Sequence, residues 1–172
     1  MREWYGLLGP APRATEHPTV SEIRGGLLVG SYPLPADVPW LRDVHRVTAV
    51  VNLQDDADLA AKGLRLTGLE HAYRTHGVAF HRVAVTDGDV AGLAARLGEI
   101  VAVLARLLDA GDRVFLHCNA GFNRAPTAAI AYLHAHGGMS LPEAIAFVKA
   151  RRSCVPYAEA LEAAARTGLT AR

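Results

Sequence analysis

Apolar residues recur along this chain in patterns that separate helices from strands. Between 90 and 110, Leu93, Leu97, Ile100, Val101, Leu104, Leu107 and Leu108 fall at helical spacing on one face, and Gly111 closes the segment. "VTAVVNL" (47–53) is instead apolar throughout and β-branched, the mark of a strand buried on both faces. "RVFLH" (113–117) reads as the central strand, "GGLLVGS" (25–31) as the first, ended by a turn at Pro33 and Pro35, and "VAFHRVAV" (78–85) as another. Short helices are predicted over 36–44, starting at a capping Asp37, over "DDADLAAKG", a capped helical turn closed by Gly63, and over 68–77. Three more follow near 124–137, 140–151 and 156–168, with Pro142 suited to the first turn of the second. Residues 1–20 hold several prolines and little periodicity, which predicts an extended arm laid over a domain of 21–172. Strands alternating with helices imply a single α/β domain with a central, mostly parallel sheet flanked by helices.

Composition narrows the picture. At 172 residues, 51% hydrophobic and 20% charged, the chain has the balance of one globular domain with a substantial core. A formal net charge of +1 gives no basis for wholesale binding to nucleic acid or anionic lipid. The first residues lack an apolar core suited to a signal peptide, and no run is long enough to span a bilayer. Two cysteines make no disulfide framework, which suits a reducing cytoplasm. A monomer without nucleic-acid or membrane partners is expected.

One of those cysteines ends the central strand. "VFLHCNAGFNRAPTAAIAYL" (114–133) passes from a buried strand through His117-Cys118 into a short loop, then into an alanine-rich helix. In parallel sheets, ligands bind where strand carboxyl ends lead into the next helix. The loop Asn119, Ala120, Gly121, Phe122 and Asn123 has a glycine at its middle, so its N–H groups can converge into an anion nest, reinforced by the N-terminus of the following helix. The same field favours Cys118 as a nucleophilic thiolate. Arg124 returns to the nest, where its planar fork can hold two phosphoryl oxygens. Pro126 fits the first helical turn. His117 reads as a hydrogen-bond donor that orients the loop. Phe122 either lines the pocket or packs on its own loop.

Phosphoryl transfer also needs an acid for the leaving oxygen, and "VAVTDGDV" (83–90) offers two just past a strand. Asp87, nearer the strand end, is the candidate acid; Asp89 is the candidate cap of the helix that starts near 90. Other features carry less. His71, His76 and His81 share no helix face and do not read as a metal site. Cys154 reads as a small buried hydrophobe, and Arg151 and Arg152 as a basic pair complementing a helix dipole.

The run His117-Cys118, five residues, Arg124 resembles the cysteine-dependent phosphatases, specifically the dual-specificity phosphatase fold. The likeness extends from "EIRGGLLVGSYPLPADVPWLRD" to "VKARRSCVPYAEAL". "NLQDDADLAAKGL", "RRSCVP" and Ala125-Pro126 resemble the plant starch-excess glucan phosphatases, and "CNAG" resembles the laforin group. The resemblance implies attack by Cys118 to give a phosphocysteine, stabilisation by Arg124 and the loop amides, and proton donation by Asp87, without metal or cofactor. Expected substrates are a phosphorylated glucan, sugar or inositol phosphate, with a phosphoprotein as the alternative. A rhodanese-like sulfurtransferase and a non-catalytic phosphate-binding module are the readings from other classes. Three positions depart from the family pattern. Ala125 stands where most members have a hydroxyl that helps the cysteine leave; Gly88 and Val155 stand where the plant enzymes have aromatics that stack on sugars.

Overall fold

The computed structural model describes residues 15–169; residues 1–14, most of the expected arm, and 170–172 lie outside the described residues. Five strands form one sheet: β1 (Val20–Arg24), β2 (Leu27–Gly30), β3 (Ala49–Asn52), β4 (Ala79–Arg82) and β5 (Val114–His117). They lie in the order β1-β2-β5-β3-β4, with β1 antiparallel to β2 and every other pair parallel. The helices are α1 (Val38–His45), α2 (Asp56–Ala61), α3 (Leu66–Thr75), α4 (Val90–Asp109), α5 (Arg124–His136), α6 (Leu141–Lys149) and α7 (Ala158–Thr167), with a 3-10 turn at Pro35–Asp37.

The sheet is covered on both faces, and alternation along each strand divides its residues between two cores. Leu27, Val29, Val51, Val114 and Leu116 pack under α4 and α5, joined by Ala144 and Val148 of α6 and Leu161 of α7. Leu28, Val50 and Phe115 face the other way, against Val38 and Leu41 of α1 and Leu69 and Tyr73 of α3. Burial on both sides is why β3 and β5 read as unbroken apolar runs. Among the described residues no helix is long and apolar enough to cross a membrane.

Three sequence expectations need correction. The strand expected over 25–31 is half of a hairpin: Gly25 and Gly26 adopt φ of 57° and 88° and form its turn, and the antiparallel edge strand β1 precedes them. The strand expected over 78–85 is confined to Ala79–Arg82. Asp37 does not cap α1; its carboxylate accepts from the Leu34 N–H at 2.6 Å and meets the His17 ring at 3.1 Å.

Register brings the strand ends together. Gly30 and Asn52 both pair with His117 across β5, and Arg82 pairs with Asn52. The segments that follow β2, β3, β4 and β5 therefore leave the sheet along one edge.

Candidate active site

The loop after β5 is built so that its carbonyl oxygens face outward. The neutral His117 ring stands with Nδ1 3.1 Å from Cys118 O, and since a carbonyl only accepts, Nδ1 carries the proton. Tyr32 N–H donates to Asn119 O at 2.8 Å, Val155 N–H to Phe122 O at 2.9 Å, and Thr127 to Asn123 O through both its N–H (3.0 Å) and its hydroxyl (2.7 Å). Arg152 holds the remaining two, donating from Nη2 to Ala120 O at 3.0 Å and from Nε to Gly121 O. All six carbonyls from Cys118 to Asn123 are thus engaged. None of the N–H groups of Asn119–Asn123 donates to an acceptor among the described residues. The result is a concave row of donors at the head of α5.

Gly121 makes this turn possible. Its φ is 63°, and a Cβ there would fall 2.3 Å from Gly30 O and 2.5 Å from the Arg152 guanidinium. His117 is 1% exposed and its pKa is pushed down to about 4, first by burial and then by the Arg124 charge, against the opposing pull of the Cys118 carbonyl. It therefore holds the loop as a neutral donor.

Arg124 is 1% exposed. Its Nη1 donates to Asp58 Oδ2 at 2.7 Å and to Val85 O at 2.6 Å, while Nε stands 3.3 Å from Asp87 Oδ1 without hydrogen-bond alignment. Burial alone would lower the guanidinium pKa; the Asp58 hydrogen bond and the charges of Cys118, Asp58 and Asp87 outweigh it and raise it. Asp58 is the centre of this support. Its other oxygen accepts from Asn119 Nδ2 at 2.6 Å, and Asn119 Oδ1 in turn accepts from Gln54 Nε2 at 2.8 Å. Burial pushes the Asp58 pKa up, but hydrogen bonds from Arg124, Asn119 and the Asp55 backbone lower it overall.

Asp87, Cys118, Asn119, Ala120, Phe122, Asn123 and Arg124 line one pocket of about 40 Å³, room for a group of a few atoms. The predicted site residues meet there, except Gly121, which forms the turn of the loop, and His117, which holds the loop through the Cys118 carbonyl. Asp89 turns away: its carboxylate accepts from Gly92 N–H at 2.8 Å and caps α4. Tyr157 stands beside the Asp87 loop, its phenol pKa raised first by burial and then by the Asp87 charge. Phe122 lies at the mouth, 41% exposed, with Val155 next to it at 55%. Thr127 is committed, since its hydroxyl donates to Asn123 O and accepts from Tyr157 N–H at 2.9 Å.

Two functional side chains are missing from the sequence reading. Asp58 sits in a capping box with Asp55, a local role that fully explains an aspartate at the head of α2. Arg152 is no dipole partner of α6: besides the loop carbonyls it donates to Ser21 Oγ, Thr19 Oγ1 and Val29 O. Arg151 does stay at the helix end, bonded to Phe147 O and stacked on the Phe147 ring. Arg124 and Arg152 both lie within electrostatic reach of Cys118. Cys154 is buried, and both cysteines are free.

A cysteine in an anion nest, backed by a buried arginine and faced by a carboxylate, defines the cysteine-dependent phosphatase class. The chain belongs to the family described as dual specificity phosphatase, catalytic domain, whose model matches residues 28–161. Among its relatives, phosphoglucan phosphatase DSP4, amyloplastic, of Castanea sativa is 34% identical over 86% of this chain and 40% of its own length. Phosphoglucan phosphatase LSF1, chloroplastic, of Arabidopsis thaliana is 31% identical over 79% and 23%. Laforin of Mus musculus is 27% identical over 78% and 44%. The chain thus spans less than half the length of these relatives. The fold is shared with PTPMT1 in complex with PI(5)P (TM-score 0.70, 22% identity, 87% of this chain and 99% of that one). It is also shared with Tk-PTP in the active form (TM-score 0.69, 22% identity, 86% and 94%).

Proposed function

We propose that this chain is a metal-independent phosphatase that hydrolyses phosphomonoesters of a non-protein substrate, a phosphorylated glucan, sugar or inositol phosphate. The observation that carries it is the division of the loop, six carbonyls bound outside and the N–H groups left inside, around a cysteine and a buried arginine. The N–H row and the Arg124 fork match three equatorial oxygens in a transferring phosphoryl group.

Cys118 Sγ attacks phosphorus; the S–P bond forms as the P–O bond to the alcohol breaks, and Asp87 delivers its proton to the departing oxygen. Asp87 then takes a proton from water, the water oxygen bonds phosphorus, and the S–P electron pair returns to Cys118 as phosphate leaves. His117 and Asp58 do not touch the phosphoryl group; they position the loop and Arg124. The relatives named as phosphoglucan phosphatases support a carbohydrate substrate, and the neighbour solved with PI(5)P supports an inositol phosphate. We also propose a cytoplasmic setting, on the ground that two buried, unpaired thiols suit a reducing compartment.

Phosphate release from phosphorylated glucan, sugar phosphates, inositol phosphates and phosphopeptides tests the reading. Wild type should be active and blocked by vanadate, and Cys118→Ser should be inactive yet still bind phosphate, because the amides and Arg124 remain. Turnover by Cys118→Ser would place the nucleophile elsewhere, and a preference for phosphopeptides would overturn the substrate class.

A further inference from the structure

Beside the phosphoryl pocket lies a second, larger cleft of about 310 Å³. Thr19, Ser31, Tyr32 and Lys62 line it, and Asn119 and Ala120 belong to both cavities, so the two adjoin along the loop. Lys62 follows α2, and its ammonium stands 5.3 Å from the Tyr32 ring centroid. Among the described residues it has no carboxylate within ion-pair distance, and no acidic side chain lines the cleft.

The hydrogen bonds of the lining residues leave two hydroxyl protons to offer and engage the loop carbonyls and the Asn119 amide. Ser31 Oγ accepts from Thr19 N–H at 2.8 Å, and Thr19 Oγ1 accepts from Arg152 Nη2 at 3.0 Å, so each hydroxyl keeps its proton to offer. Asn119 O is taken by Tyr32 N–H and Ala120 O by Arg152. The Asn119 amide is occupied at both ends, by Asp58 and by Gln54. Thr15, at the rim, turns its own proton to His17 O at 2.6 Å. A wall of one ammonium and two hydroxyl protons, with no carboxylate among its lining residues, suits an oxyanion.

We propose that this cleft binds a second phosphate group of the substrate, held by Lys62 with Ser31 and Thr19, while the scissile phosphate occupies the Cys118 pocket. This rests on the phosphatase reading and narrows it. The preferred substrate carries two phosphate groups on one polyol framework, either as a soluble bisphosphate or as a lipid headgroup whose phosphodiester supplies the second anion.

The test compares matched substrates by their kcat/KM ratio. Glucose 1,6-bisphosphate is set against glucose 6-phosphate. Phosphatidylinositol monophosphate in phosphatidylcholine vesicles is set against the soluble inositol monophosphate. In at least one pair the wild type favours the substrate with the second anion, and Lys62→Met lowers that ratio about tenfold, the size of a partly solvated charge-assisted contact. An effect confined to the first pair assigns the site to soluble bisphosphates, and one confined to the second assigns it to a lipid headgroup. An unchanged ratio in both pairs overturns the proposal. Calorimetric binding of glucose 1,6-bisphosphate to Cys118→Ser, with and without Lys62→Met, reads the same contact without turnover. If wild type releases no phosphate even from p-nitrophenyl phosphate, the phosphatase reading fails, while this binding difference still decides the cleft.

Discussion

Asp58→Asn removes one charge from the network behind the loop and keeps its shape. In the wild type the Arg124 and Asp58 side chains are 1% and 8% exposed, and their atoms meet at 2.7 Å. Breaking a buried pair from one side costs about 3–5 kcal/mol because the remaining charge is stranded. Arg124 keeps Val85 O at 2.6 Å and the Asp87 carboxylate nearby, which favours the low end, about 3 kcal/mol. Relief by rotation is blocked. One carboxylate oxygen accepts from Arg124 and from Asp55 N–H, the other from Asn119, so an amide must turn its NH₂ toward a donor on one side. Urea unfolding at pH 7 reads the loss, and kcat should fall with it because Arg124 loses its charge partner and one side of the network loses its hydrogen bond. The pH dependence checks the cause. Asp58 has a lowered folded pKa, so its contribution is complete above the unfolded value near about 4 and is lost only as pH falls through the folded one. The gap between wild type and variant should therefore hold from pH 7 to pH 5. A cost below about 1 kcal/mol at pH 7, or a gap that closes by pH 6, would refute the reasoning.

His117 acts in a different window: its folded pKa of about 4 lies below the usual histidine value, so the unfolded chain takes the proton first. Wild-type stability should fall between about pH 6.5 and 4 by roughly 3 kcal/mol, and His117→Asn should flatten that slope; equal slopes in urea titrations would remove the assignment. Asp87→Asn should slow sugar phosphates relative to p-nitrophenyl phosphate, with general-acid help worth about 10²–10⁴-fold, whereas Asp89→Asn should leave that ratio alone; the reverse pattern would exchange their roles. Ala125 supplies no hydroxyl and Thr127 is bound to Asn123 O and Tyr157 N–H, so phosphocysteine breakdown should lag its formation. Rapid mixing with an aryl phosphate should show a burst that Ala125→Ser shrinks, and absence of a burst would mean another group supports the leaving thiolate.

The sequence carries its own loop chemistry in one contiguous run, because strand end, glycine turn and helix start each leave a local pattern. His117, Cys118, Gly121 and Arg124 were legible for that reason. Element types were legible too, since β3 and β5 are buried on both faces and α4 on one. The hairpin was not: Val20–Arg24 is an edge strand with only Ile23 buried, so it lacks an apolar signature, and the glycine pair was absorbed into the strand it precedes. Asp58 and Arg152 escaped for a stronger reason. Each has an adequate local explanation, a capping box or a helix end, and its functional partner lies 66 residues away in one case and 31 in the other. Nor does the sequence tell that Gly88, where the resemblance implies an aromatic, has open space around it but a φ of 78°, a backbone that L-residues disfavour.

Arg152 explains why the loop is fixed before any phosphate arrives. A row of convergent N–H groups repels itself electrostatically, and without a ligand a free loop would relax by rotating peptides until its carbonyls faced inward. Here each rotation would break an external bond. Turning the Ala120 or Gly121 peptide breaks a bond to a guanidinium that is itself held by Thr19, Ser21 and Val29. Turning the Cys118 carbonyl strands a buried His117 donor, and turning Phe122 releases Val155 from the neighbouring turn. The cost of gathering the donors is therefore met in folding, by contacts to β1, β2 and the turn after α6, rather than at the moment of reaction. That is the arrangement in which a fixed set of dipoles lowers a barrier most, because nothing has to reorganise as charge develops on the phosphoryl oxygens.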